Sequence, residues 1–222
     1  MLIDYEIIQG SEDWHKEKNG KLSGTRAKSV MIKDVLKGSI FDEIMSERNT
    51  TFKHVEGFVN DAMKRGIELE PIALKEVVNA TGINFNDAGL LYRNSNHIHS
   101  PDGISDCETI GLEIKCPSAK VHNSYVRTNE IPLEYAWQII NYFAMSKDIE
   151  KLVFASYNPE YNLKPLFLLE VNRESVIFVS KKESDTINNL AEKLNNNIDY
   201  LIKEVEKEEE RVIQLINNNS NF

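Results

Sequence analysis

The stretch "SPDGISDCETIGLEIKCP", residues 100–117, sets one carboxylate, Asp102, eleven positions ahead of the triplet Glu113-Ile114-Lys115. In a strand, residues two apart point to the same face, so Glu113 and Lys115 lie side by side while Ile114 turns into the core. If Asp102 ends the neighbouring strand, its carboxylate meets that of Glu113. Two carboxylates forced together repel, and a buried pair is costly unless a cation sits between them. Oxygen ligands with no Cys or His demanded by the spacing suit Mg²⁺ or Mn²⁺, and the Ile114 carbonyl offers a further oxygen. Lys115 adds a point charge suited to a phosphoryl oxygen. The bland alternative is a cross-strand ion pair on a solvated face. Glu113-Ile-Lys115 is the one place in the chain where an acidic residue stands two before a lysine, which weighs against accident.

Working outward, residues 1–25 read as an irregular entry containing Trp14, Gly20 and Gly24. Residues 27–44 carry Val30, Met31, Val35 and Leu36 at helical spacing, with a stop near Gly38 and a second piece beyond it. Residues 56–80 read as helix, kinked or restarted at Pro71 and closed by Thr81-Gly82. Residues 88–92, 97–100 and 111–116 are short strands parted by Asn, Asp and Gly, and predict an antiparallel meander. A helix over 133–145 and strands over 152–157 and 166–171 follow. From Ile187 through Leu190, Leu194, Ile198 and Leu201 to Val205, apolar steps of three and four predict one amphipathic helix packed on the protein's own sheet, with a partner-binding helix as the alternative. The Asn-rich end, 217–221, is expected to fray. This order predicts an α/β fold around one mixed sheet flanked by helices.

Composition bounds the function. The chain has 222 residues, 41% of them hydrophobic, enough for one sizeable core and a single domain, 1–222. No run approaches the roughly 18 apolar residues needed to cross a bilayer, and no secretory signal is visible. Two cysteines, Cys107 and Cys116, predict free thiols in a reducing compartment. The formal charge of −9 opposes phosphate binding, but the acidic run at 204–210 and metal-binding carboxylates account for part of it.

Other residues join the motif. Glu70, in "RGIELEPIA", sits on a helix preceding the sheet and is a candidate third carboxylate, or a solvated helical glutamate. Gln138, in "AWQIINYF", has Tyr142 one turn on and thus on the same face. Such a Gln satisfies a backbone group or positions a water beside a metal. His97 and His99 alternate onto one strand face and are strand residues, or at most support a ligand from behind, because their spacing provides no three-ligand zinc set.

The set "RGIELEPIA", "SPDG", "GLEIKCP" and "AWQIINYF", in this order and at these intervals, closely resembles the phage lambda-type exonucleases, the YqaJ-like viral recombinase family. These belong to the PD-(D/E)xK nuclease superfamily, whose core is restriction-endonuclease-like. The resemblance runs from about Trp14 to Tyr161. It implies that Asp102, Glu113 and the Ile114 carbonyl hold Mg²⁺ (or Mn²⁺, two ions per site), that Lys115 is the catalytic lysine, and that Glu70 and Gln138 complete the site. It also implies a 5′→3′ exonuclease on linear duplex DNA, releasing mononucleotides, assembled as a homotrimer and working with a single-strand annealing protein. Such a protein is phage- or prophage-encoded and cytoplasmic in a bacterial host.

The family's N-terminal pattern places an arginine after Trp-His, then a turn with two hydroxyls that receives the 5′ phosphate. Here Trp14-His15 is followed by Lys18 and by Ser23 and Thr25 in "GKLSGT". The resemblance thus makes 1–26 an end-binding segment, with 184–216 as the C-terminal helix. Lysine for arginine gives a point charge in place of a bidentate fork. For Ser23 and Thr25, capping the following helix is the competing role. Competing readings of the whole are another superfamily nuclease (an endonuclease, a junction resolvase or an iron–sulfur nuclease) and a catalytically silent DNA-binding scaffold. Two cysteines cannot furnish the four ligands of an iron–sulfur cluster.

Overall fold

The computed structural model describes residues 1–54 and 60–219. Its elements are β1 (Leu2–Asp4), α1 (Glu12–Lys18), α2 (Ala27–Val30), α3 (Ser39–Arg48), α4 (Asp61–Thr81), β2 (Phe85–Asn86), β3 (Leu90–Asn94), β4 (His97–His99), β5 (Gly103–Ser105) and β6 (Ile110–Lys115). Then follow α5 (Ala119–Thr128), α6 (Ala136–Met145), β7 (Lys151–Tyr157), β8 (Leu166–Asn172), β9 (Val176–Phe178), β10 (Ser184–Thr186) and α7 (Ile187–Asn219).

The central sheet has five strands in the order β2-β5-β6-β7-β8. Only β6 and β7 run parallel, and the connection between them carries α5 and α6, as a parallel crossover requires. This is the mixed, helix-flanked sheet that the element order predicts. The expected single meander is wrong, however. Strands β3 and β4 pair with β1 in a separate three-stranded sheet, while β5 and β6 belong to the central one. The reason lies in Ser100-Pro101-Asp102: proline has no N–H for a ladder, so the strand ending at His99 stops and the chain crosses to the second sheet.

Several boundaries also move. The N-terminal entry is not irregular throughout, because β1 and α1 lie within it, the latter capped by the Ser11 hydroxyl. The helix expected from residue 27 is broken into α2, a 3₁₀ turn at Val35–Lys37, and α3. The start of the helix expected from residue 56 falls partly on residues 55–59, outside the described ones. From Asp61 onward it is one helix that runs through Pro71 and ends with Gly82 in the left-handed conformation. The helix expected from Leu133 begins at Ala136. Helix α7 starts three residues later than predicted, since Ser184–Thr186 pair with β9, and it continues through Asn217 to Asn219; the rest of the end expected to fray, 220–221, lies outside the described residues. Helix α5 escaped prediction altogether: its buried side chains, His122 and Tyr125, are too few and too polar to print an apolar period.

Alternation along β6 positions the chemistry. Leu112 and Ile114 turn toward Ala73 and Val77 of α4 in one apolar cluster. Gly111 and Glu113 face α6 instead. A Cβ on Gly111 would come within 2.6 Å of the Tyr142 ring, so glycine lets α6 lie this close. On the same side, α7 packs its predicted stripe, all of it buried from Ile187 to Val205, against α6, α2 and α3, and not on the sheet as expected, because α6 already covers that face. Each such side chain contributes about 1.5–3 kcal/mol at most. Helix α6 is thereby clamped between sheet and α7, which fixes the residues it aims at β6.

Candidate active site

Glu113 is fully buried, so the solvated ion-pair reading fails. Its Oε1 accepts from Gln138 Nε2 at 2.5 Å and contacts the Lys115 ammonium, while its Oε2 lies 3.0 Å from the Tyr142 hydroxyl. The same hydroxyl is 2.5 Å from the Leu112 carbonyl and accepts from the Asp102 N–H at 3.3 Å. Asp102 leads into β5, antiparallel to β6; its Oδ2 accepts from the Ile114 N–H at 2.7 Å and stands 3.9 Å from Lys115 Nζ. The sequence-predicted Asp102, Glu113, Lys115, Gln138 and Tyr142 therefore form one contacting set.

The electrostatics are unbalanced. Burial, then the Asp102 charge, push the Glu113 carboxyl up to about 7, with Lys115 opposing. Burial also raises Asp102 against the pull of Lys115. Burial works against the Lys115 ammonium, but Glu113 and Asp102 outweigh it and raise its pKa. Half-buried Glu70 on α4 is likewise pushed up to about 7, by burial and then by Asp102. Asp87, in the β2–β3 connection, adds negative charge that both Glu70 and Asp102 feel. Sequence reading missed Asp87, an acidic loop residue with no period or spacing to mark it. One ammonium thus faces several carboxylates.

Among the described residues, no three or more His, Cys, Asp or Glu side chains form a ready cage for a metal ion. The expected ligands are Asp102, Glu113, the Ile114 carbonyl and Glu70. The donors still fit magnesium: they are hard oxygens in negative excess. Mg²⁺ commonly takes one or two carboxylates and completes its shell with water and substrate phosphate.

The N-terminal candidates gather elsewhere. Trp14 and Lys18 of α1, with Ser23 and Thr25, line a cavity of about 460 Å³ that also takes in Arg26 and Lys53. The Lys18 ammonium sits 3.5 Å from the centre of the Trp14 ring, and the Trp14 indole N–H donates to Ser100 Oγ at 3.0 Å. Burial, then the Arg26 charge, push Lys18 down to about 8. Ser23 and Thr25 hydroxyls lie 3.1 Å apart, and Ser23 makes no capping bond to the turn that follows, which removes its competing role as a cap. Arg26 and Lys53 were not legible in the sequence. Arg26 is partly neutralised by a two-pronged pairing with Glu47, at 2.8 Å for one prong, and it donates to the Lys21 carbonyl. His97 and His99 are buried strand residues held by Asn141, and form no zinc set.

Residues 13–149 match the YqaJ-like viral recombinase domain. The chain belongs to that family. Among solved structures, an alkaline exonuclease (LHK-Exo) from Laribacter hongkongensis superposes with a TM-score of 0.77 at 24% identity, covering 94% of this chain and 99% of that one. The same protein in complex with dAMP matches equally. A phage related exonuclease from Haemophilus somnus 129PT gives a TM-score of 0.56 at 12% identity, over 89% and 98% of the two chains. The fold is the one these exonucleases share. No curated protein matches the sequence.

Proposed function

We propose that this chain is a metal-dependent deoxyribonuclease, a 5′→3′ exonuclease on linear duplex DNA that releases 5′-mononucleotides. The observation that carries the reading is Glu113: fully buried, sharing one lysine with Asp102 and oriented by Gln138 and Tyr142. A buried carboxylate pair so supported costs stability, and it has a use where a cation and a phosphodiester meet. The family and the exonuclease fold agree with it.

In this reading Asp102, Glu113, the Ile114 carbonyl and Glu70 hold Mg²⁺, Mn²⁺ substituting, at two ions per site. The metal supplies Lewis-acid stabilisation of charge on the scissile phosphate. Gln138 and Tyr142 fix the Glu113 carboxylate by donating to it, and Ile114 N–H fixes Asp102. Lys115, held as an ammonium between the two, presents a donor to the oxygen where negative charge develops. Trp14, Lys18, Ser23 and Thr25 take the terminal 5′ phosphate, so residues 1–26 act as the end-binding segment of a single nuclease domain, 1–222.

A homotrimer that encircles DNA and a single-strand annealing partner complete the proposal. Val212, Ile213 and Leu215 on α7, beyond the last residue buried in this chain, give exposed apolar surface for such contacts. Among the described residues, no helix is long and apolar enough to cross a membrane.

The test is direct. With Mg²⁺ and end-labelled linear duplex carrying 5′ phosphates, we expect mononucleotide release that stops in EDTA. Covalently closed circles should remain intact. Cutting of the circles would replace this reading with an endonuclease.

A further inference from the structure

The row of side chains that α6 turns toward β6 begins one residue before the helix. Gln138 and Tyr142 both reach Glu113, and Tyr135 stands three positions ahead of Gln138, so helical spacing places it in the same row. Its backbone is fixed on both sides. The Tyr135 N–H donates to the Pro132 carbonyl at 2.9 Å, and the Tyr135 carbonyl accepts the first bond of α6, from Ile139 N–H at 2.9 Å.

The ring is held as well. Phe154, opposite Glu113 on β7, lies 5.9 Å away between centroids, and Tyr125 of α5 meets the ring edge-on at 6.4 Å. Both of these neighbours are buried, and the Tyr125 hydroxyl is tied back to Glu134 Oε1 at 2.7 Å. Tyr135 itself is half-buried against this cluster.

What the fixed ring meets is the lysine of the carboxylate site. The Lys115 ammonium is 5.1 Å from the centre of the Tyr135 ring, within reach of a cation–π attraction. The same ammonium contacts Glu113 Oε1 and stands 3.9 Å from Asp102 Oδ2. The two kinds of neighbour act differently. The carboxylates neutralise the ammonium, and in the proposed function they also serve the metal. The ring attracts the charge through its quadrupole, brings no anion and has no ligand role. A lysine held by carboxylates alone would lose its anchor to a bound cation, whereas the ring keeps the ammonium in place with its charge unspent for a phosphate oxygen. Packing against Phe154 is the competing role, and a leucine would fill it.

We propose that Tyr135 is a positioning residue for cleavage: the face of its ring steers the Lys115 ammonium toward the scissile phosphate. The inference rests on the nuclease reading given under Proposed function, and the experiment separates the two. Single-turnover cleavage of a 5′-phosphorylated linear duplex is followed with Mg²⁺ over a range of protein concentrations, which yields a maximal rate and a half-saturating concentration. Tyr135→Leu should lower the maximal rate about tenfold, within the range of a partly desolvated cation–π contact. Half-saturation by DNA and by Mg²⁺ should not move. Tyr135→Phe returns the ring face and should restore most of the rate. In a Lys115→Ala background, Tyr135→Leu should have no further effect, because the ring acts through the ammonium. An equal loss in that background, a full rate in Tyr135→Leu, or a Tyr135→Phe as slow as Tyr135→Leu overturns the role. A wild type that cuts nothing overturns the nuclease reading, and this inference with it. Should Tyr135→Leu melt early, lysine-selective ¹³C–¹H spectra of the metal-free protein decide the matter. The Lys115 Cε methylene, identified by its loss in Lys115→Ala, should be shifted upfield by the ring in wild type and in Tyr135→Phe. An ordinary lysine position refutes the contact.

Discussion

The carboxylate site and the end cavity are neighbours built on opposite plans. The first is a negative excess on rigid elements: Glu113 and Lys115 on β6, the central strand of its sheet and one of its parallel pair, Gln138 and Tyr142 on a helix clamped from both sides. The second is a positive excess on a short helix and a turn, where Lys18 leans on Trp14 and Arg26 is half-spent on Glu47. Chemistry demands placement to within fractions of an ångström, whereas holding an anion tolerates adjustment. In the proposed function bond cleavage falls to one region and choice of DNA end to the other, and substitutions should separate them.

The largest expected effect is on the rigid side. Lys115→Ala should lower single-turnover cleavage about a hundredfold, from loss of roughly 3 kcal/mol of transition-state stabilisation. Binding of a 5′-phosphorylated end in EDTA should stay near the wild-type value. Near-normal turnover would remove Lys115 from the mechanism, and a matching loss of end binding would erase the division between the two regions.

On the loop side, Lys18→Ala should reduce the preference for a 5′ phosphate over a 5′ hydroxyl about tenfold, the scale of a hydrogen bond to a charged group. The rate on 5′-hydroxyl ends should hardly change. Competition between the two ends in one reaction measures the ratio directly. If Lys18→Ala slows both ends alike, the cavity serves cleavage and not selection.

A smaller effect follows from acidity. Burial, and then Arg26, bring Lys18 to about 8, so its charge is present at pH 7 and lost as pH rises through that value. The preference of wild type for phosphorylated ends should therefore decline severalfold between pH 7 and 9. In Lys18→Ala it should be flat over the same window. A slope that persists in Lys18→Ala would assign the titration elsewhere.

The two regions also differed in how far they could be read from sequence. Glu113 and Lys115 were legible because a strand's period of two converts spacing into a shared face, and Gln138 and Tyr142 because a helical turn does the same. Asp102 could be paired with them because only a short hairpin separates β5 from β6. The split of the strands into two sheets was not legible, since it turns on where Pro101 sends the chain and not on apolar pattern. Nor were Asp87, Arg26, Lys53 and the Asn141–His99 link, where folding gathers residues far apart in sequence and no local period records the meeting.

The smallest effect concerns what the rigid site costs when no cation is bound. Glu113 titrates near 4.5 in an unfolded chain and is pushed up to about 7 in the fold, chiefly by burial and then by Asp102. Between those values the folded chain keeps a proton that the unfolded chain has released. Stability from this group therefore falls as pH rises from about 4.5 to about 7 and stays low above it. The buried neutral histidines work in the opposite sense at acid pH, so the wild-type melting curve alone would mix the two. Glu113→Gln isolates the carboxylate, because Gln preserves shape and acceptor oxygen and cannot ionise. In EDTA, Glu113→Gln should melt above wild type at pH 8 by a few degrees, each kcal/mol being worth about 2–4 °C at this size. The gap should close toward pH 5.5, and Mg²⁺ should narrow it at pH 8 by stabilising wild type alone. A gap independent of pH would mean that Glu113 is not strained in the metal-free fold. The contrast between a site that stores its electrostatic cost in buried carboxylates and a cavity that stores it in a buried ammonium would then fail.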